Sequence, residues 1–219
     1  MPKIRAMSDS ASPPVIDDPA GTWNRRFSET GYLFGTEPNA WLHDHAWLWE
    51  AGERVLSVAD GEGRNSVWLA QQGLTVDAFD VSEVGVRKAR DFARITGVKV
   101  NFAVADIATL QWPAGLYDGV VAIFIQFAEP ELRARIFRGM VQCLKPGGRV
   151  VLQGYTPRQL EYRTGGPPFA SHMYTPELLR EAFAGLEIIA LKEYEAELAE
   201  GSGHKGRSAL IGMVARKPV

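Results

Sequence analysis

The sequence predicts an α/β fold, a doubly wound Rossmann-like sheet of about seven strands, mostly parallel, with a C-terminal antiparallel hairpin. Three observations carry this. The stretch Arg54 to Ala70 (RVLSVADGEGRNSVWLA) reads as a strand, a glycine turn and a helix start. Its residues Val55, Leu56, Val58 and Ala59 form a short apolar run, as suits a parallel strand covered on both faces. Strand-like and helix-like stretches then alternate along the chain. The last connection, Gly201 to Gly206, contains no helix, so the final two strands should be antiparallel neighbours.

Residues 1–21 are rich in Pro, Ser and Asp and read as a disordered tail. Residues 22–219 then form one domain, of which 22–50 make an N-terminal helical lid. In that stretch Trp23, Phe27, Tyr32, Leu33 and Phe34 either pack a helix on the sheet or cover a ligand. Pro38 is placed to open a helix through Ala40, Leu42, Ala46 and Leu48. After the glycine turn, Asn65 and Ser66 are positioned to satisfy the first helix amides. Gly73 stops that helix, and Leu74 to Phe79 is a second strand ending at Asp80. Ser82 is an N-cap for a helix to about Thr96, closed by Gly97. Val98 to Val104 is a third strand, ending near Asp106, and Tyr117 to Ile125 a fourth. Pro130 and Glu131 open a helix carrying Leu132, Ile136, Phe137, Met140 and Leu144. Lys145-Pro146-Gly147-Gly148 reads as a turn into a fifth strand, Arg149 to Tyr155. Thr156 to Tyr174 is loop-like, and Thr175-Pro176-Glu177 caps a helix through Phe183. Strands over about Glu187–Ala196 and Ser208–Arg216 complete the chain.

The 219 residues suffice for one well-cored domain. A net charge of −2 gives no sign of a nucleic-acid or membrane partner. A single cysteine, Cys143, excludes an internal disulfide and fits a reducing cytoplasm. It lies on the apolar side of its helix and is expected in the core. No apolar run approaches the ~20 residues of a membrane span, and the N-terminus lacks a secretory apolar segment. The expectation is a soluble cytoplasmic protein, monomer or homodimer. His43 and His45 do not share a helix face, and no metal site is expected.

In such a sheet, ligands sit outside the carboxyl ends of the strands, where strand order reverses. Gly61 and Gly63 follow the first strand. Asp80 follows the second, near the ~20-residue offset at which a carboxylate meets a ribose diol. Asp106 follows the third, where it could accept from an adenine amino group. A nicotinamide cofactor is the competitor, but its fingerprint wants a third Gly or Ala where this chain has Ser66. No Gly-Lys-Ser/Thr follows the turn, so a Walker phosphate loop is absent.

These residues resemble a class I S-adenosylmethionine-dependent methyltransferase from about Trp23 to the C-terminus. Within that superfamily the chain is similar to the bacterial tellurite-resistance and thiopurine S-methyltransferase-like group. The shared pieces are Tyr32-Leu33-Phe34-Gly35-Thr36-Glu37-Pro38-Asn39, Gly61-Glu62-Gly63-Arg64-Asn65 and Leu144-Lys145-Pro146-Gly147-Gly148. The superfamily usually reads Asp-Leu-Gly-Cys-Gly where this chain has Ser57-Val58-Ala59-Asp60-Gly61. An acid has thus left the Ser57 position and appeared at Asp60, which is either a partner for the cofactor ammonium or a turn residue. The resemblance implies S-adenosylmethionine as cofactor and S-adenosylhomocysteine as product. It implies that Ala59, Asp60, Gly61 and Gly63 line the methionine and ribose, with Asn65 in the same turn. It places Asp80 on the ribose hydroxyls, Val81 against the adenine, Asp106 and Ile107 at the adenine edge, and Ile123 near the methionine amino group.

Methyl transfer to a thiolate or soft oxyanion needs alignment and no general base, whereas an alcohol or amine would need one. After the fourth strand the chain has Ile125-Gln126-Phe127-Ala128 and no Asn-Pro-Pro-Tyr or Asp-Pro-Pro-Tyr motif, which disfavours nucleic-acid amino-methyl transfer. The carboxyl edge also carries Arg163 and His172 in the loop, and His204, Lys205 and Arg207 near the last turn, a rim that could attract a small anion. Tyr32, Phe34, Gln126, Arg163 and His204 are the candidate substrate-binding residues, and His204, Gln126 and Tyr32 the candidate catalytic ones. The expected activity is methyl transfer to a small soft nucleophile, thiol-like or oxyanion. The alternatives are a catalytically silent cofactor-binding protein and a nicotinamide-dependent oxidoreductase.

Overall fold

The computed structural model of the protein describes residues 18–219. Helix α1 (Pro19–Phe27) is capped by Asp18, whose Oδ1 accepts from Gly21 N at 2.8 Å. Residues 18–21, expected within the tail, thus form the cap and first turn of a helix, because an Asp-Pro pair starts one; the rest of the expected tail lies outside the described residues. Helix α2 (Ala40–Asp44) is capped by the Asn39 side chain rather than opened by Pro38, and gives way to a short 3₁₀ turn at Ala46–Leu48. There follow β1 (Arg54–Val58), α3 (Arg64–Gln71), β2 (Thr75–Asp80), α4 (Glu83–Thr96), β3 (Asn101–Val104) and β4 (Tyr117–Ile123). The chain continues through α5 (Pro130–Cys143), β5 (Leu144–Tyr155), α6 (Gln159–Tyr162), α7 (Pro176–Ala182), β6 (Glu187–Glu200) and β7 (His204–Arg216). As expected, Ser82 and Thr175 cap their helices, and Gly97 closes α4 in the left-handed conformation.

The seven strands form one sheet in the order β3-β2-β1-β4-β5-β7-β6. All pairings from β3 to β5 are parallel; β7 runs antiparallel to both β5 and β6. Strand β6 is therefore parallel to the central strands, and the β6–β7 turn falls at their carboxyl ends. Strand order reverses between β1 and β4, which puts the crevice beyond Val58 and Ile123. The Lys145–Gly148 segment is part of a long β5, with an irregular register to β4, rather than a separate turn.

Side-chain alternation splits the core. Leu56, Val58, Val120, Ala122, Val150 and Leu152 face α5 and α7, and Cys143 is fully buried among them. Val55, Val76, Val121, Val151 and Val214 face Trp41, Leu42, Leu48, Trp49 and Leu69. Trp41 lies flat on Gly212 of β7, where any side chain would collide with its ring, which fixes α2 against the far half of the sheet. Burying such side chains yields roughly 1.5–3 kcal/mol each, enough to hold both helical layers in place. Among the described residues no helix is long and apolar enough to cross a membrane.

Candidate functional site

The glycine turn is built by backbone geometry. Ala59, just after β1, has φ 48° and Phe124, just after β4, has φ 55°. Non-glycine residues held at positive φ on both sides of a strand-order reversal are costly, and such strain gathers at functional sites. Asp60 N still reaches Phe79 O at 2.9 Å, so the kink at Ala59 does not detach the turn from β2. Gly63 has φ 92°, and a Cβ there would lie 2.8 Å from that of Ala89, so a glycine lets α4 close on the turn.

Two carboxylates sit in this turn. Asp60 accepts from Ser57 Oγ at 2.7 Å, from Ser66 Oγ, and from Ser66 N at 3.3 Å. Asp60 thus serves one amide of the first turn of α3, that of Ser66. That task was expected of Asn65 and Ser66, but Asn65 Oδ1 accepts instead from Asn39 N at 2.9 Å. Asp80 accepts from Gly61 N at 2.9 Å and from Ser82 N at 2.8 Å. Burial raises the Asp80 carboxyl to about 6, against the pull of its backbone donors; neighbouring Asp60 adds to the rise. Burial pushes Asp60 up as well, although both serines favour its ionised form. The guanidinium nearest the turn, Arg64, is committed to Glu200 at 2.9 Å. A turn holding two carboxylates, with its neighbouring guanidinium paired to Glu200, suits a cationic, ribose-bearing ligand better than a pyrophosphate.

The other residues expected at the cofactor lie at or just beyond the carboxyl ends of β2, β3 and β4. Ala59, Val81 and Ile123 are partly exposed, and Ile107 is buried in the core. Asp106 is exposed, with Oδ1 accepting from Ala108 N at 2.8 Å, so it shapes the turn after β3.

The segment after α1 is strapped across the turn. Glu62 Oε2 accepts from Leu33 N at 2.7 Å, and Arg64 donates to Phe34 O at 3.4 Å. Lys88 Nζ, ion-paired with buried Glu62, also donates to Phe27 O and Glu29 O at the end of α1. On the other side Gly203 N donates to Leu33 O at 2.9 Å. Phe27 packs its ring over Gly61 and Gly85. The Glu62, Arg64 and Asn65 side chains thus each hold part of the stretch Leu33–Asn39. The two sequence signatures are the halves of one interlock.

Beyond the strap, the β6–β7 hairpin brings His204 against three rings: Phe124 at 4.3 Å, Phe34 at 4.4 Å and Tyr155 at 5.9 Å. His204 is not part of a glycine loop, as the sequence suggested; it is the first residue of β7, paired with Glu200. Its Nδ1 lies 3.1 Å from Glu200 Oε2. Burial lowers the His204 pKa although Glu200 pulls it upward, so the imidazole is neutral near pH 7. Glu200 is held down at about 2: burial opposes this, but the His204 and Arg64 contacts outweigh it. Glu200, Phe124 and Tyr155 were not singled out in the sequence; Glu200 looked like one more acid on an exposed strand.

Two expected substrate residues do other work. Gln126 Nε2 donates to Tyr155 O at 2.9 Å and to His172 O at 3.1 Å, and its Oε1 accepts from Tyr155 N. This side chain ties the end of β4 to the end of β5: both amide hydrogens are spent on backbone carbonyls, and one lone pair of Oε1 remains. Tyr32 packs on Phe92 at 5.4 Å and beside Lys88, against α4 rather than the His204 cluster. Arg163, at φ 54°, is exposed at the end of α6. Arg207 and Arg158 both pair with Glu195, so part of the charge expected at this rim is already spent within it. His172 Nδ1 meets Gln126 O at 2.8 Å.

A family profile described as a methyltransferase domain matches residues 55–148. The methyltransferase GfsG of Streptomyces halstedii is 35% identical over 105 residues, covering 47% of this chain and 37% of that protein. A thiopurine S-methyltransferase of Vibrio cholerae is 29% identical over 150 residues, 62% of this chain and 66% of that protein. The chain thus spans between about a third and two thirds of the length of these relatives. A structure from work on converting a disulfide bond into a thioacetal group during echinomycin biosynthesis superposes with TM-score 0.73. It is 18% identical, covers 91% of this chain and 90% of its own, and supports the fold.

Proposed function

We propose that this chain, which belongs to the class I S-adenosylmethionine-dependent methyltransferases, methylates a small soft nucleophile, a thiol-like compound or an oxyanion. The observation that carries the reading is the pairing of two environments across the crevice between Ala59 and Phe124. On one side lie the carboxylates Asp60 and Asp80; on the other lie the rings of Phe34, Phe124, Tyr155 and a neutral His204. Asp80 would hold the ribose hydroxyls, Val81 and Ile107 the adenine, and the Ala59–Gly63 turn with Ile123 the methionine part. The bound cofactor supplies a methyl group on a positive sulfonium, and transfer cancels that charge and leaves the bonding pair on sulfur. Aromatic, water-poor surroundings favour a step that loses charge, and alignment of the acceptor adds to this. Helix α1 and the strap over residues 28–39 act as the lid that excludes water. The V. cholerae relative, named for S-methylation, supports a sulfur acceptor. A reducing cytoplasm, where Cys143 stays a buried thiol pushed up to about 12 by its burial, completes the reading.

The test is transfer of a labelled methyl group to a panel of small thiols, selenite and tellurite, with small amines and alcohols beside them. Label in the thiol or oxyanion products supports the proposal. Label confined to amines or alcohols overturns it.

A further inference from the structure

We propose that His204 and Glu200 form a paired base: His204 Nε2 takes the proton of the acceptor, and Glu200 is the positioning residue that fixes the imidazole. This deepens the methyl-transfer reading and rests on it. The two residues face each other across the first pair of the β6–β7 hairpin. His204 Nδ1 and Arg64 Nη2 both meet Glu200 Oε2, at 3.1 and 2.9 Å, and Asn39 Nδ2 donates to Oε1 at 3.0 Å. With donors on both oxygens, Glu200 stays ionised at any working pH. A carboxylate can only accept, so Nδ1 must carry the ring hydrogen, and Nε2 keeps its lone pair among Phe34, Phe124 and Tyr155.

The groups that act on His204 come from four elements. Glu200 of β6 favours the imidazolium; Arg64 of α3 and Arg26 of α1 oppose it. Tyr155 of β5 contributes a ring. The net result is a neutral imidazole able to accept a proton near pH 7, with a carboxylate behind it to stabilise the cation formed. An acceptor S–H or O–H gives its proton to Nε2, and the pair from that bond becomes the new bond to carbon. The imidazolium then releases its proton to solvent. Arg64 directly follows Gly63 as the first residue of α3, so the same guanidinium sets the base relative to the glycine turn.

The experiment compares the full chain as wild type, Glu200→Gln and His204→Gln. Nitrogen NMR of the His204 ring in the free wild type should show a single tautomer, protonated at Nδ1. Glu200→Gln should lower the His204 pKa further and shift the acid limb of the kcat profile to lower pH. It should reduce kcat at least about tenfold while cofactor affinity holds. His204→Gln should lose about 10²–10⁴ in kcat. A ring protonated at Nε2 in the wild type overturns the pairing, even if a variant fails to fold. An unchanged kcat–pH profile in Glu200→Gln overturns it too. Wild type that binds no cofactor would instead overturn the methyl-transfer reading, because the tautomer is measured without cofactor.

Discussion

Replacing Asn39 with alanine should destabilise the protein by about 3–5 kcal/mol, a large loss for one small side chain. Asn39 is 1% exposed, and each of its side-chain atoms is used. Oδ1 accepts from Leu42 N at 3.2 Å as the cap of α2; Nδ2 donates to Gln153 Oε1 and to Glu200 Oε1. Losing the cap costs about 1 kcal/mol. Leaving the buried Gln153 and Glu200 oxygens short of a donor costs about 1–3 kcal/mol each, reduced where Arg64 and His204 still hold Glu200. For a domain of this size the melting temperature should fall by about 6–20 °C. Asn39→Ser keeps a capping oxygen and should recover about 1 kcal/mol of the loss. Urea unfolding followed by circular dichroism measures both variants, with an unchanged slope confirming that only stability has moved. A loss below about 1 kcal/mol in Asn39→Ala would refute the claim that this network clamps the strap to the hairpin.

Two further outcomes follow from the turn. Gly63→Ala combines positive-φ strain with a collision against Ala89, and should cost about 2–5 kcal/mol. Gly97→Ala has the same strain but open space, and should cost only about 1–2 kcal/mol in the same urea assay; equal losses would contradict the packing argument. Asp80 becomes the accepting carboxylate only above about 6. Cofactor affinity should therefore weaken as pH falls through that value, about tenfold at one unit below it, and this dependence should vanish in Asp80→Asn.

How far the sequence could be read depended on the range of the interactions. Strands β1 and β4 were legible because burial on both faces demands continuous apolar runs, and Ser82, Gly97 and Thr175 because caps are local. The glycine turn and Asp80 followed from the same strand–turn–helix logic. The role of Asn65 is hidden because its partner, Asn39, lies 26 residues away and no local pattern joins the two. Gln126 looked like a substrate ligand because nothing local shows that Tyr155 and His172 use up its amide. Glycines at 201, 203 and 206 suggested a long loop, whereas pairing runs through Glu200 and His204, which hid their partnership. The strain at Phe124 leaves no sequence signal, because a phenylalanine gives no reason to expect a positive φ.

The central claim is that the crevice binds a cationic methyl donor, and calorimetric titration of the free protein tests it most directly. Wild type should bind S-adenosylmethionine and S-adenosylhomocysteine and not NADH. Asp80→Ala, folded by circular dichroism, should bind both sulfur ligands about 10- to 100-fold more weakly, as loss of a charged hydrogen-bond acceptor predicts. Folded wild type that binds neither sulfur ligand, or that prefers NADH, would contradict the account.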